Sequence, residues 1–462
     1  MKAGTLLDRR DELARLEAAW ASAARGEPQL VVLWGRRRVG KTFLLSHLVE
    51  LKRAVFFGAT EQAEAVELAR LGEAVGRGLG ARTLDLAAGG FTSWEAALRY
   101  FVALAAEEPL VVVLDEVPYL ARSTPGFPSV VQAVWDHVPP GTRLMLVLTG
   151  SAVGVVESML GAGGPLRGRP TVAVRLDPID PVSARVFLPR LAPADFLEAY
   201  AACGGYPMHL LAWDQTAGTE ANLLRLAGTP GGILLEDAHG ILREELPDVG
   251  GYPRVLAAIG RGRTRMSEIA AEASQRVEHP LDVLIRGGFV RRSVPVGAPR
   301  RSRPLYELGD AYLAFWFGVL YSDLPQIEAG QGRAVLKLRR PQWQRQLGLV
   351  FEEAARQHAV RLVGRGELPE NLVIGRWWST SGPPVEIDVL GLKGAQAQLV
   401  GEARWQRRPL GVSDVRELIA KVASVPRVVD HPTLALWGRS GIDTQAEAAG
   451  VLGYDIEHVL SS

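Results

Sequence analysis

The stretch "LVVLWGRRRVGKT", residues 30–42, joins an apolar run to a turn bounded by two glycines. Its five leading apolar residues predict a buried strand of a parallel sheet, and the spacing of "FLLSHL", residues 43–48, predicts a helix. The turn between them has the pattern G-x-x-x-x-G-K-T, from Gly35 to Thr42. Such a turn lets backbone N–H groups surround phosphate oxygens at the positive end of the helix dipole. The stretch therefore predicts a phosphate-binding loop in an α/β fold.

Two further apolar runs end in polar residues. "PLVVVLDEVPYL", residues 109–120, carries Asp115 and Glu116 at the end of its strand. "RLMLVLTGSAVG", residues 143–154, reaches Thr149 in the same way. An acid at a buried strand tip suits the Mg²⁺ of a bound nucleotide, and an adjoining glutamate suits the polarisation of attacking water. Thr149 is interpreted either as a sensor of the γ-phosphate or as part of a simple turn.

These motifs predict that ATP and Mg²⁺ are the cofactors. Lys41 is expected to reach the β- and γ-phosphates, while Thr42 and Asp115 are expected to hold the metal ion. Glu116 is the expected water-polarising residue. The full set of residues expected around the nucleotide from this loop is Gly35, Arg38, Gly40, Lys41 and Thr42.

Composition limits the other classes of function. The 462 residues are 47% hydrophobic and 22% charged, which predicts several folded domains, and the formal net charge of +1 excludes bulk attraction to nucleic acid or anionic membranes. A single cysteine, Cys203, excludes an internal disulfide and a multi-cysteine zinc site. No apolar run approaches the length of a membrane span, so a cytoplasmic location is expected.

Seven short segments together resemble a known family. They occur in the order "LLDRRDELARL", "GRRRVGKT", "FGATEQAE", "LDEVPYL", "LTGSAVGVVESML", "PLRGR" and "CGGYP". This order resembles the archaeal-type ATPases of the AAA+/STAND branch of P-loop ATPases. The resemblance implies that Arg9, Gly205 and Pro207 belong to the adenine pocket. It also implies an arginine finger or sensor at Arg169, for which a solvated loop residue is the alternative.

The middle of the chain reads as two helical modules. A P-loop ATPase core over residues 1–176 is expected to be followed by a helical lid over 177–232 and a winged helix over 233–325. The third helix of the winged helix is expected near residues 278–286. A local basic cluster predicts DNA contact through phosphates, whereas a module that binds proteins or inhibits the ATPase is the alternative. The cluster consists of Arg261, Arg263, Arg265, Arg291, Arg292, Arg300, Arg301 and Arg303.

The last segment, residues 326–462, predicts a helix, three strands, a helix and a strand. This is the core order of the PD-(D/E)xK nuclease fold, and the ATPases resembled above commonly carry such a domain. The expected architecture is therefore an α/β P-loop core with a helical lid, a winged helix and a C-terminal α/β domain similar to restriction endonucleases.

Alternation along the strands places Glu386 and Asp388 on one face of their strand. It likewise places Glu402 and Arg404 on one face of the next strand. Asp388 and Glu402 on neighbouring strands form a candidate site for Mg²⁺ or Mn²⁺, supported by Glu352. Arg404 departs from the nuclease pattern, which requires lysine, because arginine cannot act as a proton-transferring ammonium. Lys421 is interpreted either as a migrated ammonium or as a surface lysine.

Three functions remain open from the sequence. The first is an ATPase that couples its nucleotide state to a DNA-binding winged helix and a nuclease-like domain. The second is a STAND-type signalling switch whose last domain only binds partners. The third is an ATP-controlled, metal-dependent DNA nuclease. Expected partners are ATP, DNA through the winged helix, and a protein partner or further copies of the chain.

Overall fold

The computed structural model describes residues 6–80, 90–246, 251–298, 302–379 and 384–461. The chain forms two compact units. The first comprises Met1–Pro178 with Ile241–Pro247, and the second comprises Ile179–Gly240 with Asp248–Ser462. Across the described ranges, no helix has both the length and the apolar composition needed to cross a lipid bilayer.

The first unit contains a five-stranded parallel sheet in the order β2-β3-β4-β1-β5. Its strands are β1 (Gln29–Trp34), β2 (Ala54–Gly58), β3 (Leu110–Asp115), β4 (Leu144–Gly150) and β5 (Val172–Arg175). The central strands β3 and β4 are buried along their whole length. Parallel strands covered on both faces require continuous apolar runs, which is the pattern that the sequence shows.

Helices cover this sheet. They are α1 (Arg10–Ala24), α2 (Lys41–Val49), α3 (Glu64–Leu79), α4 (Trp94–Glu107), α5 (Val117–Ser123), α6 (Phe127–Trp135) and α7 (Val153–Leu160). Helix α2 begins directly after the glycine-bounded turn, and α5 begins directly after the end of β3. The carboxyl ends of β1 and β3 therefore each lead into a helix start on the edge of the sheet where ligands of α/β proteins bind.

The second unit begins with short helices. They are α8 (Pro181–Ala184), α9 (Pro193–Cys203), α10 (Pro207–Ala212) and α11 (Thr219–Leu226). Helix α12 (Ile233–Glu245) follows, and its last five residues belong to the first unit.

Three further helices precede a two-stranded antiparallel sheet. The helices are α13 (Tyr252–Gly260), α14 (Met266–Ala273) and α15 (Glu278–Arg286), and the strands are β6 (Val290–Ser293) and β7 (Leu305–Leu308). The order of three short helices and two strands agrees with the expectation from the sequence. Two arginines of the basic cluster, Arg300 and Arg301, lie outside the described residues.

The rest of the second unit is a helical segment followed by a mixed sheet. The helices are α16 (Ala311–Phe315), α17 (Gly332–Leu338) and the long α18 (Arg340–Gly364). Short irregular helical turns over 316–331 join α16 to α17. The strands are β8 (Val373–Trp378), β9 (Glu386–Lys393), β10 (Gln396–Arg404), β11 (Val428–Gly438) and β12 (Leu452–Tyr454). Helix α19 (Val412–Val422) connects β10 to β11, and α20 (Thr444–Ala448) and α21 (Ile456–Val459) flank β12.

The C-terminal sheet has the order β12-β11-β10-β9-β8. Strands β8, β9 and β10 pair antiparallel, whereas β10, β11 and β12 pair parallel. The predicted order of helix, three strands, helix and strand is confirmed, but β12 and the two short helices around it were not predicted. Each is only three to five residues long, too short for periodicity to be recognised.

Candidate nucleotide site and candidate carboxylate site

Two positions of the glycine-bounded turn require glycine. A Cβ atom on Gly35 would lie 2.1 Å from the carbonyl oxygen of Leu176, and Gly40 has a φ of +99°. At Gly35 a side chain would collide with the neighbouring segment, and at Gly40 it would be strained in the left-handed region. Only glycine fits both positions without such a cost. Arg38, in the same turn, also adopts a positive φ of 67°. The turn is therefore held open by its backbone conformation.

Lys41 lies inside this turn. Its Nζ atom donates hydrogen bonds to the carbonyl oxygens of Gly35, at 2.7 Å, and Arg36, at 3.0 Å. Burial lowers the pKa of the ammonium group, and the nearby carboxylates of Glu116, Asp115 and Glu245 partly offset that effect. A buried ammonium surrounded by loop carbonyls can turn toward a phosphate as soon as one offers it a better acceptor.

Thr42 and Asp115 meet at the edge of the sheet. The Thr42 hydroxyl donates to Asp115 Oδ2 at 2.9 Å, and the backbone N–H of Glu116 donates to Asp115 Oδ1 at 3.0 Å. Asp115 is 7% exposed, and its burial raises the pKa of its carboxyl group. A hydroxyl and a carboxylate in contact are hard oxygen ligands of the type that Mg²⁺ prefers. These two residues therefore fit the Mg²⁺ of a bound nucleotide.

Glu116 is held by Ser151, a contact that the sequence did not predict. Its Oε2 atom accepts from the backbone N–H of Ser151, at 3.0 Å, and from the Ser151 hydroxyl, at 2.9 Å. Glu116 itself has a φ of 56°, which positions it at the start of α5. The signal for this contact was present in the Thr-Gly-Ser end of β4, but two strands have to be brought together before it can be recognised.

Thr149 lies on the same face of the sheet as Asp115. Leu114 on β3 and Leu148 on β4 are in register, and both face the apolar core on one side of the sheet. Because side chains alternate along a strand, the next residues, Asp115 and Thr149, both face the other side. The Thr149 hydroxyl is buried and has no hydrogen-bond partner among the described residues. A buried hydroxyl normally has a hydrogen-bond partner. The role of Thr149 as a sensor of the γ-phosphate stays a prediction.

Arg169 is engaged in an ion pair. Its Nε atom donates to Asp136 Oδ1 and its Nη2 atom donates to Asp136 Oδ2, both at 2.7 Å. Its Nη1 atom donates to the carbonyl oxygen of Pro165 at 3.1 Å. A bidentate pair of this kind is stable and directional, so an arginine-finger or sensor role requires that the guanidinium leave Asp136. That role stays a prediction.

Glu245, at the end of α12, joins the phosphate-binding turn. Its Oε1 atom accepts from the backbone N–H of Arg37 at 3.0 Å, while Oε2 is shielded from solvent without a hydrogen-bond partner among the described residues. Burial raises the pKa of this carboxyl group, although Arg36 and Lys41 act in the opposite direction. The sequence could not have indicated this residue, because it lies 208 positions from its partner.

The residues expected in an adenine pocket are divided between the two units. In the first unit, Arg9 donates to the carbonyl oxygens of Asp177 and of Val39, the latter at 3.5 Å, and therefore lies against the phosphate-binding turn. In the second unit, a Cβ on Gly205 would lie 1.9 Å from the carbonyl oxygen of Ile179, and Pro207 begins α10. Close backbone packing is thus sufficient to explain Gly205, and the adenine role of these residues stays a prediction.

A separate carboxylate site lies in the second unit, on β9 and β10. Asp388 Oδ2 accepts from the backbone N–H of Ala403 at 3.0 Å. Glu402 Oε2 lies 2.7 Å from Lys421 Nζ, while Glu402 Oε1 is buried and has no partner among the described residues. Helix α19 thus delivers an ammonium group to the carboxylate of β10.

Arg404 has other partners. Its Nη2 atom lies 2.7 Å from Glu417, and its guanidinium is farther from Asp414, at 3.7 Å, and from Glu402, at 3.9 Å. Of the two interpretations of Lys421, the migrated ammonium therefore has the supporting geometry, because Lys421 and not Arg404 makes the short contact with Glu402. Glu386 pairs with Arg376 instead of joining Asp388.

Three carboxyl groups share this environment. Burial first, and the neighbouring Asp388 second, raise the pKa of Glu352 to about 8 and that of Glu402 to about 7. Burial also raises the pKa of Asp388. Acids buried near one another without enough positive charge hold protons more tightly, and a cation would relieve this strain. In the described parts of the chain, however, no three Asp, Glu, His or Cys side chains converge closely enough to hold a metal ion.

Comparison with known proteins finds a family match over most of the first unit and the start of the second. Residues 6–212 match the ATPase domain predominantly from Archaea. The resemblance inferred from the seven short segments is thereby confirmed. A second family model, described as archaeal and bacterial proteins of unknown function, matches residues 316–418. That match contains Glu352, Asp388 and Glu402 and ends before Lys421.

One relative aligns along nearly the whole chain. An uncharacterized protein of Methanocaldococcus jannaschii is 25% identical over 98% of this chain and 96% of its own length. The Walker-type ATPase of Pyrococcus abyssi has a TM-score of 0.50 at 18% identity, over 68% of this chain and 96% of that one. This likeness concerns the fold alone. Together with the parallel sheet, it confirms that the ATPase domain has the predicted P-loop core and that a separate α/β sheet follows it.

Proposed function

We propose that the ATPase domain binds ATP with Mg²⁺ and hydrolyses it. The hydrogen bond between Thr42 and Asp115, at 2.9 Å, carries this proposal, because it joins the two oxygen ligands expected for the metal directly beside Lys41. Bound Mg²⁺ would neutralise charge on the phosphates. Lys41 would neutralise further charge on the β- and γ-phosphates, and Glu116 would polarise the attacking water.

The contact between Glu116 and Ser151 favours slow basal turnover. A carboxylate that accepts two hydrogen bonds is held in place and directed away from other partners. Glu116 must therefore leave Ser151 at least partly before it can polarise water. Such a step suits a switch whose hydrolysis is controlled by a partner.

Binding and hydrolysis of radiolabelled ATP by three variants test the proposal. Lys41→Ala should abolish binding, because the phosphates lose their buried counter-charge. Glu116→Gln should retain binding and lose hydrolysis. Glu95→Gln, on the exposed side of α4, is the matched control and should behave as the wild type. Equal hydrolysis by wild type and Glu116→Gln would overturn the role of Glu116.

For the module formed by α13 to α15, β6 and β7, we propose a winged helix that transmits the nucleotide state to a protein partner. The predicted basic cluster is partly neutralised, because Arg261 and Arg263 both pair with Glu272, and Arg291 lies 3.5 Å from Glu307. The exposed positions of α15 are Glu278, His279, Asp282 and Arg286. Two carboxylates against one guanidinium are unfavourable in a DNA groove. These charges favour the signalling alternative over the DNA-binding one.

Fluorescence anisotropy with a short DNA duplex at low salt separates the two. We expect weak binding that falls steeply with salt, and little change when the exposed residues Arg292 and Arg303 are replaced by alanine. Tight binding that those two substitutions weaken would restore the DNA-binding interpretation.

A second candidate function, metal-dependent cleavage of phosphodiesters, is favoured by the 2.7 Å contact between Lys421 and Glu402. Lys421 could orient a water molecule, and Asp388 and Glu402 could hold Mg²⁺ or Mn²⁺. Plasmid nicking in Mn²⁺ tests it. Activity should be lost in Lys421→Ala and unchanged in Arg404→Lys, because Arg404 is engaged with Glu417. Absence of nicking by wild type would leave the carboxylate site without this function.

A further inference from the structure

A concave pocket in the second unit lies apart from the carboxylate site. It has a volume of about 340 Å³ and is walled by residues from α13, α14, β7, α18 and β8. This is within the range of small-molecule sites, which begin near roughly 300 Å³. Its lining contains none of Glu352, Asp388, Glu402 and Lys421.

Guanidinium groups outnumber carboxylates in the lining of this pocket. Five guanidinium groups line it, and only two carboxylates do, those of Glu272 and Glu307. The five are Arg261, Arg263, Arg339, Arg345 and Arg376. Within the lining alone guanidiniums exceed carboxylates by three, and outside it Asp323 and Glu386 pair with Arg339 and Arg376. A concave surface with one sign of charge concentrates ions of the opposite sign.

Two of the arginines have their own carboxylate partners. Arg339 Nε lies 2.5 Å from Asp323, and Arg376 Nη1 lies 2.6 Å from Glu307. These pairs account for the position of both guanidiniums in the fold. They form the fixed part of the wall, beside the apolar side chains of Tyr306 and Leu349.

The other three arginines have one carboxylate among them, and it binds only two of them. Arg261 and Arg263 each bind Glu272 through Nε, at 2.8 and 3.1 Å, so that neither uses its terminal nitrogens in that contact. Arg345 has no carboxylate within ion-pair distance among the described residues. Its guanidinium lies on the same loop, because a Cβ on Gly262 would be 2.2 Å from Arg345 Nη1. Gly262 has a φ of +95°, so the loop presents bare backbone at this point.

We propose that this pocket binds a small phosphorylated molecule of about the size of a nucleotide. Three guanidiniums around one carboxylate repel one another, and a multiply charged anion between them would remove that repulsion. Guanidinium forks match phosphate oxygens in geometry and charge. The apolar wall of Tyr306 and Leu349 would accept the uncharged part of the ligand. The concave shape and small volume favour a free molecule over the backbone of a duplex.

Calorimetric titration with sodium pyrophosphate tests the proposal on the full chain. The background is Lys41→Ala, which removes the phosphate-binding turn as a competing site. We expect Arg345→Ala to weaken the remaining binding about tenfold, because one charge-assisted contact is lost. Arg345→Lys should have an intermediate effect, since it keeps the charge and loses the fork.

Arg333→Ala is the matched control, because Arg333 is an exposed arginine of α17 outside the pocket. It should bind pyrophosphate as tightly as the background. Wild type should give the same difference between the Arg345 and Arg333 variants if Lys41→Ala does not fold, because binding at the phosphate-binding turn then adds equally to both. The proposal is overturned if pyrophosphate gives no heat beyond dilution, if Arg345→Ala and Arg333→Ala bind equally, or if a short DNA duplex occupies the pocket in preference to pyrophosphate.

Discussion

At the scale of single residues, the nucleotide site combines contiguous and distant contributions. The chemistry of Gly35 to Thr42 is local, because one turn supplies the amides, the ammonium and the hydroxyl, and it was therefore recognisable in the sequence. Ser151 and Glu245 act through contacts between segments that are far apart along the chain. No spacing rule connects such segments, so their contribution appeared only in the structure.

Ser151 is expected to restrain Glu116. Replacing Ser151 by alanine removes one of the two donors to Glu116 Oε2 and retains the backbone donor, so the carboxylate becomes freer to turn. Steady-state ATPase assays should show a several-fold rise in kcat with little change in KM. Ser158→Ala, which removes an exposed hydroxyl of α7, should change neither. A fall in kcat for Ser151→Ala would instead identify Ser151 as a residue that positions Glu116 productively.

Glu245 is expected to weaken nucleotide binding. Its carboxylate lies at the phosphate-binding turn and would repel the phosphates of ATP. Glu245→Gln should tighten binding about fivefold, since removing one such repulsion is worth on the order of 1 kcal/mol. Equilibrium titration with a fluorescent ATP analogue measures this. Glu236→Gln, an exposed change in the same helix, is the control, and weaker binding by Glu245→Gln would show that the carboxylate supports the site.

At the scale of elements, α19 and β10 illustrate what periodicity can and cannot predict. Alternation along β9 and β10 predicts that Asp388 and Glu402 lie near each other, and in the structure Asp388 does raise the pKa of Glu402. It could not decide which cation would meet Glu402, because Arg404 and Lys421 are both within reach of it. Glu417 and Asp414 on α19 attract Arg404, and this leaves Lys421 for Glu402.

The packing of α18 against the C-terminal sheet should depend on pH. Trp437 Nε1 donates to His358 Nδ1 at 3.0 Å, which requires a neutral imidazole, and burial lowers the pKa of His358 to about 4. An unperturbed histidine, as in an unfolded chain, has a pKa of about 6.5. The unfolded state therefore binds the proton more readily, and the free energy of unfolding should fall by up to about 3 kcal/mol as the pH decreases from 6.5 toward 4.

Urea unfolding of wild type and His358→Gln over this pH range measures the effect. The variant keeps an acceptor for Trp437 and has no titrating group there, so its stability should vary less with pH. Glu352 and Glu402 act in the opposite sense. Their pKa values are raised, so their contribution to the free energy of unfolding is lost as the pH increases. The quantity to compare is therefore the difference in stability between wild type and His358→Gln at each pH. His431→Gln, at an exposed position, should retain the wild-type slope. Identical slopes for wild type and His358→Gln would refute the assignment.

At the scale of the whole molecule, the two compact units should respond differently to nucleotide. Ligand that binds only the folded ATPase domain stabilises it by about 2.7 kcal/mol at a concentration of one hundred times Kd. Scanning calorimetry of Glu116→Gln, which should not consume the ATP, should show one transition that rises with Mg²⁺-ATP and one that does not move. Lys41→Ala should show no shift. A single transition that moves as a whole would mean that the units unfold together.

The path of the chain between the units limits how this protein can have been assembled from older genes. Residues 241–247 return to the first unit after the chain has entered the second, and Glu245 lies among them. A single recombination event near residue 178 would transfer the parallel sheet without this segment. The recipient would acquire a phosphate-binding turn that lacks its distant carboxylate, and with it a different affinity for nucleotide. Inheritance of the complete pair of units as one block is therefore the simplest way to conserve this arrangement.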